Sequence, residues 1–139
     1  MKLQTNPPIF YWKHRVYFGD TDAAGIVYHG RYIYWMESAR IEWLDHLQYP
    51  YTRFINNKTS LVPTKLEIQY KAPLTFNEHF SIKIQIESLS FASITLKSTF
   101  ETNYKIHAIG IVKLGMIDDK KWKPCKLPKD FLEVLQGLQ

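Results

Sequence analysis

Phe18-Gly19-Asp20-Thr21-Asp22-Ala23-Ala24-Gly25-Ile26-Val27-Tyr28-His29 is the stretch whose reading decides this chain. It sets two acids, one residue apart, between a strand-like run from Tyr11 to Phe18 and an aromatic helix predicted to start near Gly30. The first turn of a helix leaves backbone N–H groups without partners, and the helix dipole adds positive potential at the same place. A carboxylate delivered there stands beside donors that can polarise a carbonyl while the acid attacks it or activates a water. The pattern points to acyl-transfer chemistry.

Outward from this run, Tyr32, Trp35, Met36, Ala39, Trp43 and Leu47 recur at helical spacing from Arg31 to Leu47, with Ile33 and Leu44 on a flanking stripe. Glu37, Arg40, Glu42 and Asp45 form a narrow polar side, Glu37 and Arg40 read as an internal ion pair, and Pro50 prevents continuation. So wide an apolar face needs to be wrapped. The wrapping follows: Val62, Leu66, Ile68 and Tyr70 alternate with polar residues, as do Phe80, Ile82, Ile84 and Ile86, and then Ala92, Ile94, Leu96, Ser98 and Phe100. Each run reads as a strand with one buried face. From Lys105 to Ile117 the pattern changes, because Ile109 and Ile111 lie opposite Ile106, Ala108, Val112, Leu114 and Met116. A strand apolar on both faces is central or covered by another subunit. Asp118 to Lys126 reads as a basic exposed loop, and Pro128 suits the first turn of a C-terminal helix from Lys129 to Gln136. The order predicts one α+β domain over residues 1–139, with a curved antiparallel sheet closing around one long helix.

Aromatics make up 15% of the chain, a rich supply for a pocket or a subunit interface. The net charge of +5 suits nucleic acid, an anionic membrane or a phosphorylated small molecule. The basic residues are scattered and carry no nucleic-acid motif, so no nucleic-acid partner is expected. Lys120, Lys121, Lys123 and Lys126 read first as a solvated loop, and otherwise as a landing patch for phosphates. Cys125 is the only cysteine, which excludes an intrachain disulfide and favours a reducing compartment. Met1 to Pro8 lack the apolar core of a signal peptide, and no apolar run reaches membrane-spanning length. A soluble cytoplasmic protein without a membrane partner is expected. His14, His46, His79 and His107 show no ligand spacing, and no metal is assigned.

The Asp-x-Asp-x-x-Gly-x-Val-Tyr-His run from Asp20 to His29, the helix behind it and the later Tyr70-Lys71-Ala72-Pro73 resemble the hotdog-fold acyl-CoA thioesterases of the 4-hydroxybenzoyl-CoA thioesterase family. Within that family the chain is most similar to the branch that hydrolyses 1,4-dihydroxy-2-naphthoyl-CoA in naphthoquinone synthesis. The short-chain acyl-CoA branch shares nearly all the same residues. The resemblance implies an acyl-CoA substrate, no cofactor, and a homo-oligomer, dimer or tetramer, with active sites at the dimer interface. It puts the catalytic carboxylate on Asp22, as nucleophile or general base, and leaves Asp20 to brace the turn. It puts the oxyanion donor on the backbone N–H of His29, not its ring, and gives Gly25 the freedom to approach ligand closely. Tyr28, Tyr32 and Trp35 could then offer flat walls to an aromatic acyl group, with core packing as the other reading. Two departures stand out: Asn77 and Glu78 replace a frequent Gly-Asp, and Leu89, Ser90 and Phe91 replace basic residues that grip CoA phosphates in some relatives. An acyl-carrier-protein thioesterase and a non-catalytic acyl-CoA-binding module are the alternatives, the second opposed by the intact Asp22. A hotdog dehydratase would need a His and acid pair around a different loop.

Overall fold

Helix α1, Arg31–His46, forms where the apolar spacing predicts it and buries Tyr32, Trp35, Met36, Ala39, Trp43 and Leu44. The computed structural model, which describes residues 9–138, wraps this helix in a sheet built from β1 (Phe10–Arg15), β2 (Thr59–Tyr70), β3 (His79–Leu89), β4 (Ser93–Glu101) and β5 (Ile106–Asp118). The strand order is β1-β3-β4-β5-β2, every pairing is antiparallel, and the short β6 (Lys123–Pro124) adds to β5. This is the hotdog arrangement.

The sheet meets the helix through residues in register. Trp12 lies opposite Ile82, Ile82 opposite Phe100, and Phe100 opposite Ala108, so one row of inward side chains crosses four strands. Phe80 packs against Trp35 with ring centroids 4.7 Å apart, and the Trp12 indole N–H donates to Glu42 on the helix. Gly110 sits where the strand backbone comes closest: a Cβ there would lie 2.6 Å from the Met36 sulfur. A glycine inside a strand often marks such an approach.

A second aromatic cluster closes the end of the sheet away from the start of α1. Helix α2, Thr52–Asn56, and helix α3, Lys129–Gln136, bring together Tyr49, Phe54 and Phe131, each 2% exposed or less. The Tyr49 hydroxyl donates to Asp130 at 3.0 Å, and Arg53 pairs with the same carboxylate at 2.8 Å while lying 3.9 Å above the Tyr49 ring. The sequence reading predicts α3 but not α2, which is too short to carry a helical repeat.

The structure corrects several expectations. The first strand ends at Arg15, not Phe18, because Phe18–Asp20 form a 3-10 turn, with the Asp20 carboxylate accepting the Tyr17 N–H at 2.8 Å. In β2 the pairing shifts between Pro63 and Lys65, so Val62 opposes Gly115 on the outer face and Leu61 points inward instead. One extra residue in a strand reverses the alternation that follows it. Leu66 and Tyr70 do face inward, yet they remain 37% and 49% exposed, because β2 is the last strand of the sheet. The stripe on α1 is also narrower than predicted, with Ile33 46% exposed. Glu37 and Arg40 do not reach ion-pair distance; Arg40 is half-buried, and burial lowers its pKa against a smaller opposing pull from Glu37. Pro128 caps α3 rather than entering it. One expectation holds: β5, apolar on both faces, is a central strand between β4 and β2, with Ile109 and Ile111 half-buried on its outer face. Met1 to Pro8 lie outside the described residues, among which no helix is long and apolar enough to cross a membrane.

Gly110→Ala should destabilise the fold by about 1–3 kcal/mol, the usual range for forcing an extra methyl into a packed core. Urea unfolding would read this as a lower midpoint at unchanged slope. A wild-type midpoint would show that Met36 yields freely.

Candidate active site

The run from Asp20 to His29 is pinned at both ends, and its two acids do different work. Asp20 is 9% exposed; its carboxylate accepts from the Tyr17 N–H and pairs with Arg31 Nε at 3.2 Å, while its carbonyl accepts from the Tyr28 N–H at 2.9 Å. Its place is structural, as predicted. Asp22 is exposed, and its carboxylate accepts one bond, from the Ala24 N–H at 2.9 Å. The second carboxylate oxygen makes no hydrogen bond to a described residue. The loop between closes on itself: the Asp22 N–H donates to Ile26 and the Gly25 N–H to Asp22, with Gly25 at φ +81, where a side chain would be strained. The Val27 N–H bonds to Leu74 at 2.9 Å, joining this loop to the β2–β3 connection.

The start of α1 remains open. Its cap is Gly30, no side chain caps it, and its first turn holds no acid. Arg31 at the first helical position opposes the dipole, and the ion pair with Asp20 offsets it. The Arg31 N–H bonds to Tyr28, but the N–H groups of His29 and Gly30 have no partner among the described residues. Available donors therefore stand next to an available carboxylate.

A cleft of about 370 Å³ joins them. It is lined by Asp22, Ile26, Val27, His29 and Tyr32 from the motif side, and by Tyr70, Lys71, Ala72 and Pro73 from the β2–β3 connection. Asp22 also borders a second hollow of about 300 Å³, formed with Gly19, Thr21, Tyr28, Arg31 and Tyr34. The carboxylate thus stands between two clefts. A larger hollow of about 830 Å³ lies across the outer faces of β1 and β3 around Lys13, Arg15 and His79, and holds neither Asp22 nor His29.

The far wall is braced from beneath. His107 is 1% exposed, and its Nδ1 lies 3.0 Å from the Pro73 carbonyl and 3.3 Å from that of Ala72. Carbonyls only accept, so Nδ1 carries a proton. Nε2 meets the Thr102 hydroxyl at 3.1 Å. Phe18 and Phe76 stack with centroids 3.8 Å apart, clasping the two loops together. Asn77 takes φ 72, the left-handed backbone that a glycine would supply, and Glu78 accepts from the Thr75 N–H and hydroxyl at 3.0 and 2.8 Å. The departure from Gly-Asp therefore keeps a left-handed residue followed by an acid that braces the turn.

Asp22, His29 and Tyr32 are thus brought to one cleft, whereas Tyr28 faces the other and Gly25 lines neither. Trp35 is 4% exposed among His14, Tyr32 and Phe80, so it is core and not a wall. Tyr32 is largely core as well, edge-on to Phe100 at 5.1 Å, and burial pushes its hydroxyl pKa up to about 12. Leu89, Ser90 and Phe91 turn at the opposite end of the sheet from the motif. Residue spacing gave no role to His107 or to the Tyr70 hydroxyl, which donates to the His29 carbonyl at 2.7 Å. Among the described residues no three of His, Cys, Asp and Glu converge as metal ligands.

A sequence profile of the thioesterase-like superfamily matches residues 16–135. The acyl-CoA thioester hydrolase YbgC of Escherichia coli is 30% identical over 129 residues, covering 91% of this chain and 96% of its own. A solved gentisyl-coenzyme A thioesterase superimposes with a TM-score of 0.83 at 31% identity, over 91% of this chain and 99% of that one. The 1,4-dihydroxy-2-naphthoyl-CoA hydrolase of Prochlorococcus marinus is more distant, 26% identical over 129 residues, with 85% and 83% of the two chains covered. With the hotdog fold and the open helix start beside an acid, these matches make the chain a thioesterase, a member of the thioesterase-like superfamily.

Proposed function

We propose that this chain hydrolyses acyl-CoA thioesters to the free acid and CoA, with Asp22 as nucleophile or general base and the His29 backbone N–H as oxyanion donor. The observation that carries this reading is the sharing of one apolar cleft by Asp22, His29 and the uncapped start of α1. The thioester carbonyl would stand at Asp22, its oxygen toward the helix start, where preorganised donors oppose the charge that develops on it. The acyl group would lie among Ile26, Val27, Tyr32, Tyr70 and Pro73, and the thiol arm would leave past Tyr28, Arg31 and Tyr34. In one route the carboxylate attacks the carbonyl, the C–S bond breaks, and CoA leaves as a thiolate that takes up a proton. Water then hydrolyses the mixed anhydride and restores Asp22. In the other route Asp22 takes a proton from water as the water attacks, the C–S bond breaks as the tetrahedral intermediate collapses, and the CoA thiolate takes up the proton, restoring the Asp22 carboxylate.

For the acyl group we favour an aryl ester, 1,4-dihydroxy-2-naphthoyl-CoA first, which would place the enzyme in phylloquinone or menaquinone synthesis. The aromatic cleft walls and the Prochlorococcus relative support it. The similarity to YbgC favours a short-chain acyl-CoA or an acyl-carrier-protein thioester as the second reading. The lone Cys125 suits a reducing, cytoplasmic setting. A homodimer or tetramer is supported by exposed apolar surface: Ile26 and Tyr70, which line the cleft, and Ile33 and Leu66, which do not, are each at least 36% exposed.

Asp22→Asn should keep the fold and lower kcat by on the order of 10²–10⁴, the range for loss of a positioned acid or base. His29→Ala, which keeps the main-chain donor, should stay within about tenfold of wild type, since a lost oxyanion donor costs more than that. Steady-state release of CoA thiol measures both. Wild-type turnover in the Asp22 variant, or an equally deep loss in a folded His29 variant, would overturn the assignment of roles.

Specificity constants for 1,4-dihydroxy-2-naphthoyl-CoA, acetyl-CoA and a long straight-chain acyl-CoA should rank the aryl ester first. A clear preference for the short ester would transfer the function to the second reading.

Light scattering at micromolar concentration should give at least twice the mass of one chain. A monomer would remove the interface proposal.

A further inference from the structure

The His29 carbonyl is released by the way α1 begins. In a regular helix the Ile33 N–H would bond to it, but that N–H reaches the Gly30 carbonyl instead, at 3.3 Å. An unpartnered carbonyl at this point would leave the peptide between His29 and Gly30 free to tilt. The Tyr70 hydroxyl takes it at 2.7 Å, across 41 residues of chain. The ring that carries this hydroxyl is held edge-on to Tyr32, with centroids 5.1 Å apart and planes at 87°. On the preceding peptide, the Tyr28 carbonyl accepts from the Arg31 N–H at 2.9 Å. His29 is therefore clamped on both sides: one bond fixes the peptide that bears its own N–H, and the other fixes the peptide that follows and bears the Gly30 N–H.

We propose that Tyr70 is a positioning residue for thioester hydrolysis: by donating to the His29 carbonyl it holds the peptide next to the one bearing the His29 N–H, and so keeps that N–H aimed at the oxygen of the scissile carbonyl. This rests on the function proposed above. A donor held in advance does not have to reorganise as charge develops, so misorientation costs most in the transition state and little in the ground state. The hydroxyl is in the right form to donate, since partial burial raises its pKa above the usual tyrosine value. The rest of Tyr70 is a separate matter. Its ring lines the cleft, and phenylalanine would preserve that wall and the edge contact with Tyr32.

The test is Tyr70→Phe, assayed beside Asp22→Asn on whichever acyl-CoA ester wild type turns over fastest. The variant should lose about 10- to 100-fold in kcat, less than the 10²–10³ typical of deleting an oxyanion donor outright, with KM changed less than about twofold. Amide hydrogen exchange should quicken at His29 and Gly30 while the rest of α1 keeps its protection. A kcat within twofold of wild type overturns the proposal. So does a raised KM at unchanged kcat, which would make Tyr70 a binding wall only. A fall in kcat that matches a loss of folded protein, read from the urea midpoint, also overturns it, because the hydroxyl would then be a structural tie. If Asp22→Asn stays active while Tyr70→Phe is impaired, the Asp22 assignment fails instead. An inert Asp22 variant beside a fully active Tyr70 variant defeats only this inference.

Discussion

The buried carboxylate of Asp20 is the contact on which the rest of the site depends. It turns the chain out of β1 by accepting the Tyr17 N–H, and it holds Arg31 at the first position of α1. Its own carbonyl secures Tyr28. Hydrogen bonds to a charged group contribute more than neutral ones, about 1.5–3 kcal/mol each, so one residue can fix a loop of this length. The ion pair has a second effect. A cation at the start of a helix is unfavourable, and Asp20 offsets it, which leaves Asp22 two residues later without a cationic partner at contact distance among the described residues.

This division between two neighbouring acids underlies the proposed split between structure and chemistry in the motif. Asp20 spends its acceptors on the fold, whereas Asp22 spends one on Ala24 and faces a cleft with what remains. The helix behind them makes the same division. Its middle is fixed by burial against Phe80 and Gly110, so its first turn can go uncapped without the helix shifting. The opposite wall, Tyr70 to Pro73, is set by β2 and by the buried ring of His107. Each wall of the cleft thus rests on a different part of the core.

Much of this was legible from residue spacing. The stripe from Tyr32 to Trp43 defined α1, and alternation of apolar and polar residues defined β3 and β4, because each presents one face to the core over most of its length. Val62 was misplaced because the pairing shifts at Thr64, a place that Pro63 marks, since a strand tolerates proline only at an edge, its first residue or a bulge. The cluster of Tyr49, Phe54 and Phe131 was missed for another reason: its members lie far apart in sequence, and α2 is too short for periodicity to show. At the site, the motif pointed to Asp22 and His29, which line one cleft, but not to the parting of the aromatics. Tyr28 and Tyr32 are four residues apart yet face different clefts, since only Tyr32 belongs to the helix. The bond from Tyr70 to His29 is a tertiary contact, which no reading of either segment alone contains.

The central claim is that Asp22 and the open start of α1 act together on one carbonyl. The most direct measurement is a crystal structure with a ketone analogue of the preferred acyl-CoA, in which a methylene replaces the sulfur and hydrolysis cannot occur. The account predicts the ketone oxygen about 2.7–3.1 Å from the His29 N–H, with the Asp22 carboxylate or a water bound to it facing the carbonyl carbon. A carbonyl seated beyond the reach of Asp22, or turned away from the helix start, would contradict it.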